Sequence, residues 1–223
     1  MKRYLPFFIV TAAGLLMLGA GTMLYRAKRP SVLVIPKNST VPETADTESM
    51  HVHGEANAPV TLEEFGDFQC PPCGKLAGPT KQLEAAYGSQ LRVIFRQFPL
   101  PVKVHAHAQE AALAAEAAGL QSRFWEMHDL LYREQEVWSK VADARALFHG
   151  YAGMLGLDLD RFEKDMDGAE AKERIAIDRK RGEALGVHST PTIFINNRLS
   201  PTPVEVAGLR TAIDAALNPQ PLP

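Results

Sequence analysis

Two prolines enclosed by two cysteines, in the run Cys70-Pro71-Pro72-Cys73, constrain this chain more than any other feature of its 223 residues. There is no third cysteine, so a disulfide-stapled scaffold is excluded and only one pairing is possible. The pair follows VTLEEFGDF (60–68), which reads as a strand by two-residue alternation, with Val60, Leu62, Glu64 and Phe68 on one face. It opens a segment of helical character that runs to Tyr87 and stops at Gly88, in which Pro79 is expected to kink or interrupt the helix. On a helix, positions i and i+3 lie about 5–6 Å apart, within the Cα separation a disulfide accepts. Free N–H groups and the positive dipole end favour a thiolate on the first cysteine. Pro71 suits the first turn, where its missing donor is harmless, whereas Pro72 removes a further amide. A dipole contribution of roughly 0.3–1 kcal/mol moves a pKa by less than about one unit. Deeper activation of Cys70 therefore needs hydrogen bonds to its sulfur, with Cys73 the expected source.

Three other uses of the pair compete with redox exchange. A structural zinc site needs two more ligands, and only histidines remain. His105 and His107 are two apart and diverge on a helix, while His51 and His53 fall near an expected tether; no metal is assigned. A permanent structural disulfide constrains the unfolded chain little across so short a loop. Inert buried thiols fit poorly with a Pro-Pro helix start, which is expected to place the first sulfur near the surface.

The chain around the pair is that of a folded protein. At 46% hydrophobic and 22% charged, with a formal net charge of -2, it is too apolar for disorder and gives no general pull toward nucleic acid. Lys2 and Arg3 precede Tyr4 to Tyr25, a stretch without charge, and Arg26, Lys28 and Arg29 follow. As a helix this stretch spans roughly 33 Å against a hydrocarbon core of roughly 30 Å. Residues 1–29 are read as a membrane anchor or a signal segment. The retained anchor is favoured, because no Ala-x-Ala follows the run and only Gly19-Ala20-Gly21 offers a weak cleavage site. Residues 30–53, rich in Pro, Ser, Thr and Glu, read as a flexible tether with a reach of roughly 25–30 Å.

Residues 54–218 read as one α/β domain. Leu91 to Phe98 is a second strand closed by Pro99 and Pro101, a helical block occupies about 105–185, Thr192 to Asn196 is a third strand, Asn196-Asn197 a turn, and Val204 to Leu217 a final helix. His128 shares a helical face with Phe124, Met127 and Leu131 and is expected to be a packed or surface residue, without a catalytic role.

FGDFQCPPCGK, taken together with HSTPTIFINN downstream of the helical block, resembles the thioredoxin superfamily, and more narrowly its disulfide-oxidoreductase branch typified by DsbA. The resemblance implies a thioredoxin-like fold with an inserted helical domain. It implies that Cys70 is the nucleophilic, more exposed sulfur and Cys73 the resolving one, the two forming a redox-active disulfide. It implies that Pro191 follows a cis peptide bond facing the cysteines, with Thr190 before it, and that these two residues bind substrate. Glu64 matches the family's buried strand carboxylate, which moves a proton to or from Cys73; Glu63, pointing the other way by alternation, is its control. One departure stands out: where DsbA-type oxidants carry a histidine before the second cysteine, this chain has Pro72, and a milder reduction potential is expected.

The resulting expectation is an extracytoplasmic thiol:disulfide oxidoreductase without a cofactor, tethered to a bacterial inner membrane. It would exchange disulfides with proteins carrying thiols or disulfides and be served by a quinone-linked oxidase or an electron donor in the membrane. Oxidation is favoured over reduction or isomerisation. The alternative of another class is a non-catalytic module using the same fold to bind a peptide or a metal.

Overall fold

The computed structural model describes residues 51–200 and 204–218, so the expected anchor or signal segment and nearly all of the expected tether lie outside the described residues. Among the described residues no helix is long and apolar enough to cross a membrane.

The order of elements is β1 (Val52–His53), β2 (Val60–Gly66), α1 (Pro71–Tyr87), β3 (Leu91–Gln97), α2 (Ala108–Gly119), α3 (Phe124–Arg133), α4 (Gln135–Trp138), α5 (Arg145–Met154), α6 (Leu159–Asp167), α7 (Ala169–Ala184), β4 (Thr192–Ile195), β5 (Arg198–Leu199) and α8 (Val206–Leu217). The sheet order is β1-β3-β2-β4-β5, with β2 and β3 parallel and the other pairs antiparallel. A parallel pair needs a crossover, and α1 supplies it. The helical block α2 to α7 then intervenes before β4 pairs with β2, which is the expected α/β architecture with inserted helices.

Three local expectations are corrected. Val52 and His53, placed in the tether by composition, form an edge strand on β3, with Val52 opposite Ile94. Pro79 does not interrupt α1, which runs unbroken to Tyr87. The residue before it is Gly78, which has no Cβ to clash with the proline ring, and Leu76, Thr80 and Leu83 bury the helix on either side. The first strand stops at Gly66, leaving Phe68 in the turn that follows. Glu63 turns away from Glu64, as alternation requires, and enters a second buried layer. Its carboxylate accepts from Arg96 Nε at 2.8 Å and from Arg181 Nε and Nη2 at 2.6 and 2.9 Å. A central strand covered on both faces has no solvent side, so an acid there must be paired.

The turn at Asn196-Asn197 is as expected, both residues taking positive φ (47° and 62°), which asparagine tolerates and which joins β4 to β5. Packing separates into layers. Leu76 and Leu83 of α1 and Leu209 and Ile213 of α8 pack with Val60, Leu62, Val93 and Ile193 of the sheet. The inserted helices have their own core around Trp138, Phe148 and Phe162, built against the alanines of α2, whose small side chains bring neighbouring helices close. Phe68 and Phe95 join that core to the cysteines.

Candidate active site

Asp67 starts a tight turn at the end of β2: its carbonyl accepts from the Cys70 N–H at 3.0 Å. Cys70 is the residue before the first helical turn, with extended backbone, and Pro71 and Pro72 occupy the first helical positions, where their fixed φ and missing N–H cost least. Gln135 of α4 ties the turn down, its Nε2 donating to the carbonyls of Phe68 and Cys70 at 2.6 and 3.0 Å. Gly74 makes room for that amide: a Cβ there would lie 2.7 Å from Gln135 Oε1.

The two cysteines are unequal. Cys70 is 4% exposed and Cys73 not at all, so the expected order of exposure is present, although the first sulfur is far less open than a surface position. A hydrogen bond from Cys73 lowers the Cys70 thiol to about 6 against the opposing effect of burial, with the Thr190 side chain a smaller contributor. Burial, reinforced by that same hydrogen bond, pushes Cys73 well above the usual thiol range. Neutral Cys70 donates to the Thr190 carbonyl at 3.3 Å. That contact favours the thiol, because a carbonyl has nothing to offer a thiolate. The Thr190–Pro191 peptide is cis, and the pairing of Phe65 with Thr192 brings this loop beside the Asp67–Cys70 turn.

Glu64 is buried beneath the pair, between Phe95 and Ile193 in the register of the sheet. Its Oε1 has no hydrogen-bond partner among the described residues. Burial first, and the charge of Cys70 second, push its carboxyl up to about 8. It lines a cavity of about 430 Å³ together with Thr80, Val93, Phe95, Trp125 and His128, and the Thr80 hydroxyl is likewise buried without a partner. Two unsatisfied oxygens on one cavity are what bound water would satisfy. His128 is packed among Phe68, Phe95, Trp125 and Tyr132, and burial lowers its pKa.

The histidines weighed as zinc ligands have other partners. His51 donates to Glu116, His53 to Glu84, His105 to Asp67 and His107 to the Val141 carbonyl. Sequence reasoning overlooked Asp67, Gln69, Thr80, Tyr132 and Gln135. Only Asp67 and Gln69 had a visible signal, standing inside the motif itself.

Glu64 links the site to stability. Its folded pKa of about 8 exceeds the ordinary 4.5, so between those values the folded chain binds the extra proton and stability falls as pH rises. Glu64→Gln removes that slope. Its unfolding free energy relative to wild type is expected to improve by about 2–4 kcal/mol between pH 4.5 and 8.5. Parallel denaturation curves for the two proteins would refute this.

A family model described as Thioredoxin matches residues 46–215, and the chain belongs to that family. A thioredoxin-like oxidoreductase from Silicibacter pomeroyi DSS-3 superposes with a TM-score of 0.64 at 26% identity, covering 79% of this chain and 100% of that one. The thiol-disulfide exchange protein alpha-DsbA2 from Wolbachia pipientis gives 0.62 at 23% identity, covering 73% and 84%. The fold is thus thioredoxin-like and is shared with that DsbA-named structure. Among curated relatives, a Na(+)/H(+) antiporter NhaA 1 of Mycolicibacterium gilvum is 36% identical over 174 residues, covering 76% of this chain and 27% of the antiporter. The chain spans about a quarter of the length of that relative, to which the transport activity in the name belongs.

Proposed function

We propose that this protein is a thiol:disulfide oxidoreductase that exchanges disulfides with other proteins through Cys70 and Cys73. The observation that carries the reading is the placement of Cys70 just before the first turn of α1 and against the cis Thr190–Pro191 loop, with Cys73 and the Glu64 carboxyl buried behind it, an arrangement that divides the protonation states. Near neutral pH the thiol lowered to about 6 is charged, while Cys73 and Glu64 hold their protons.

In the oxidising direction a substrate thiolate attacks Cys70 Sγ of the closed pair. The Cys70–Cys73 bond breaks, Cys73 leaves as a thiolate, and Glu64 gives it a proton. A second substrate thiolate then attacks the substrate sulfur of the mixed disulfide, forming the substrate disulfide and releasing Cys70 as a thiolate. In the reducing direction the Cys70 thiolate attacks a substrate disulfide, and Cys73 displaces the product while Glu64 takes its proton. The electrostatics favour that timing. Part of what raises Glu64 is the charge on Cys70, and that charge vanishes when Cys70 enters a mixed disulfide, so Glu64 gives up its own proton to water more readily and stands as a carboxylate, free to accept, when Cys73 must ionise. Water in the adjoining cavity would carry the proton onward.

Oxidation of folding proteins is the direction we favour, in an extracytoplasmic compartment where disulfides persist, with residues 1–29 holding the domain at a bacterial inner membrane. The pair would be recharged by a quinone-linked membrane partner; run as a reductase or isomerase, it would need an electron donor. Pro72 in place of a histidine leaves Cys70 to be activated chiefly by Cys73, which supports a milder reduction potential than in histidine-bearing relatives.

Equilibration with glutathione buffers tests both parts. The expected result is a reversible Cys70–Cys73 disulfide with a potential below that of histidine-bearing relatives. Failure to close reversibly would overturn the oxidoreductase reading. A potential at or above those relatives would overturn only the milder one.

A further inference from the structure

Asp67 is the point at which the cysteine turn is joined to a distant loop. Its side chain is fully buried, and among the described residues its oxygens accept from three donors. Oδ1 accepts from the Gln69 N–H at 2.7 Å, closing a side-chain turn over the residue before Cys70. Oδ2 accepts from the Leu100 N–H at 2.9 Å and from His105 Nδ1 at 2.7 Å. A carboxylate only accepts, so Nδ1 of His105 carries the hydrogen. The main chain of Asp67 serves the pair directly: its carbonyl takes the Cys70 N–H at 3.0 Å, and its backbone favours the thiolate form of Cys73. The same residue also works against the site, since its negative charge disfavours ionised Cys70.

The dipeptide between the cysteines offers no imidazole, yet His105, thirty-five positions after Cys70, brings one to the carboxylate that shapes the turn. We propose that His105 is a positioning residue for the Cys70–Cys73 exchange, acting at second hand: its Nδ1–H holds Asp67 Oδ2 toward the Leu100–His105 loop. That hydrogen bond fixes the turn that delivers Cys70 and draws carboxylate charge away from the sulfur. This inference rests on the thiol:disulfide reading above.

Asn and Gln separate the roles of the imidazole, because the Asn amide nitrogen falls near the position of Nδ1 and the Gln amide nitrogen near that of Nε2. In the full chain, His105→Gln is expected to raise the pH midpoint for alkylation of Cys70. It is also expected to shift the glutathione equilibrium three- to tenfold toward the protein disulfide, about 15–30 mV. His105→Asn restores both to within about twofold, since one hydrogen bond to a charged group is retained. Asp67→Asn lowers the alkylation midpoint, and adding His105→Gln to it changes nothing further. A folded H105Q protein with wild-type midpoint and equilibrium, or an equal shift in the D67N background, would overturn the role of His105. Should H105Q not fold, D67N/H105N against D67N reads the same coupling, and a large difference between them overturns it. If wild-type protein forms no reversible Cys70–Cys73 disulfide, the oxidoreductase reading itself fails, while the alkylation midpoints still decide whether His105 acts on Cys70.

Discussion

Cys73→Ser protein is expected to accumulate mixed disulfides with its substrates, and Cys70→Ser to lose disulfide exchange by about a thousandfold or more. The asymmetry follows from the two thiols. With its thiol lowered to about 6, Cys70 is mostly thiolate at neutral pH, whereas Cys73 is buried and holds its proton. Removing Cys70 therefore leaves no nucleophile within reach of a partner. Removing Cys73 leaves the attack intact and deletes the sulfur that would release the product. Serine at 73 keeps a hydroxyl to donate to the Cys70 thiolate; alanine does not, and Cys73→Ala should also raise the alkylation midpoint of Cys70. Non-reducing gels of C73S protein read the first outcome. The absence of adducts there, or wild-type exchange by C70S, would count against the mechanism.

The largest loss of stability is expected at Arg96. Its guanidinium is buried between two acids, Nε donating to Glu63 at 2.8 Å and Nη1 to Asp178 at 2.9 Å. Glu63 keeps Arg181 when Arg96 is lost, and Asp178 keeps the Gln97 N–H at 2.9 Å, but a buried carboxylate is then undercompensated. Breaking a buried pair from one side costs about 3–5 kcal/mol, and Arg96→Met should lose that much in chemical denaturation at pH 7.5. The deficit has a predictable pH dependence. Burial already raises Asp178 to about 6, above its ordinary 3.8, and losing Arg96 raises it further. At pH values above about 6 the folded variant holds a proton that folded wild type has released, so its deficit should shrink as pH falls toward about 6 and change little below that. A deficit that is constant with pH would show that Asp178 is not the group left stranded.

What the sequence disclosed and what it withheld divide along physical lines. β2, α1, β3, β4 and α8 carry local patterns, namely alternation, a helix stop at Gly88 and an Asn-Asn turn, and their boundaries fell within two residues of the expected ones. β1 carries none: two residues cannot alternate, and only pairing with β3 makes them a strand. Glu63 does point away from Glu64, but alternation tells only which residues share a face and not whether the other face meets water, so its arginine partners were not legible. Within the site, the cysteines, Glu64, Thr190 and Pro191 were all singled out, and the structure brings them together. The partners of the turn were not. Asp67 reaches residues 33 and 38 positions away, and Gln135 reaches back 67 and 65 to Phe68 and Cys70. No periodicity encodes a side chain that satisfies a backbone group so far along the chain.

The buried carboxyl below the cysteines gives the molecule a resting condition. At about pH 5 Glu64 keeps its proton, which relieves the cost of burying a charge, and Cys70 is a neutral thiol, which is a poor nucleophile. The protein is then at once harder to unfold through this group and slower to react, so mild acid should preserve its dithiol during storage. Transfer to neutral surroundings wakes the sulfur before the carboxyl yields its proton. Reactivity therefore arrives ahead of the strain, over a span of about two pH units between the two groups.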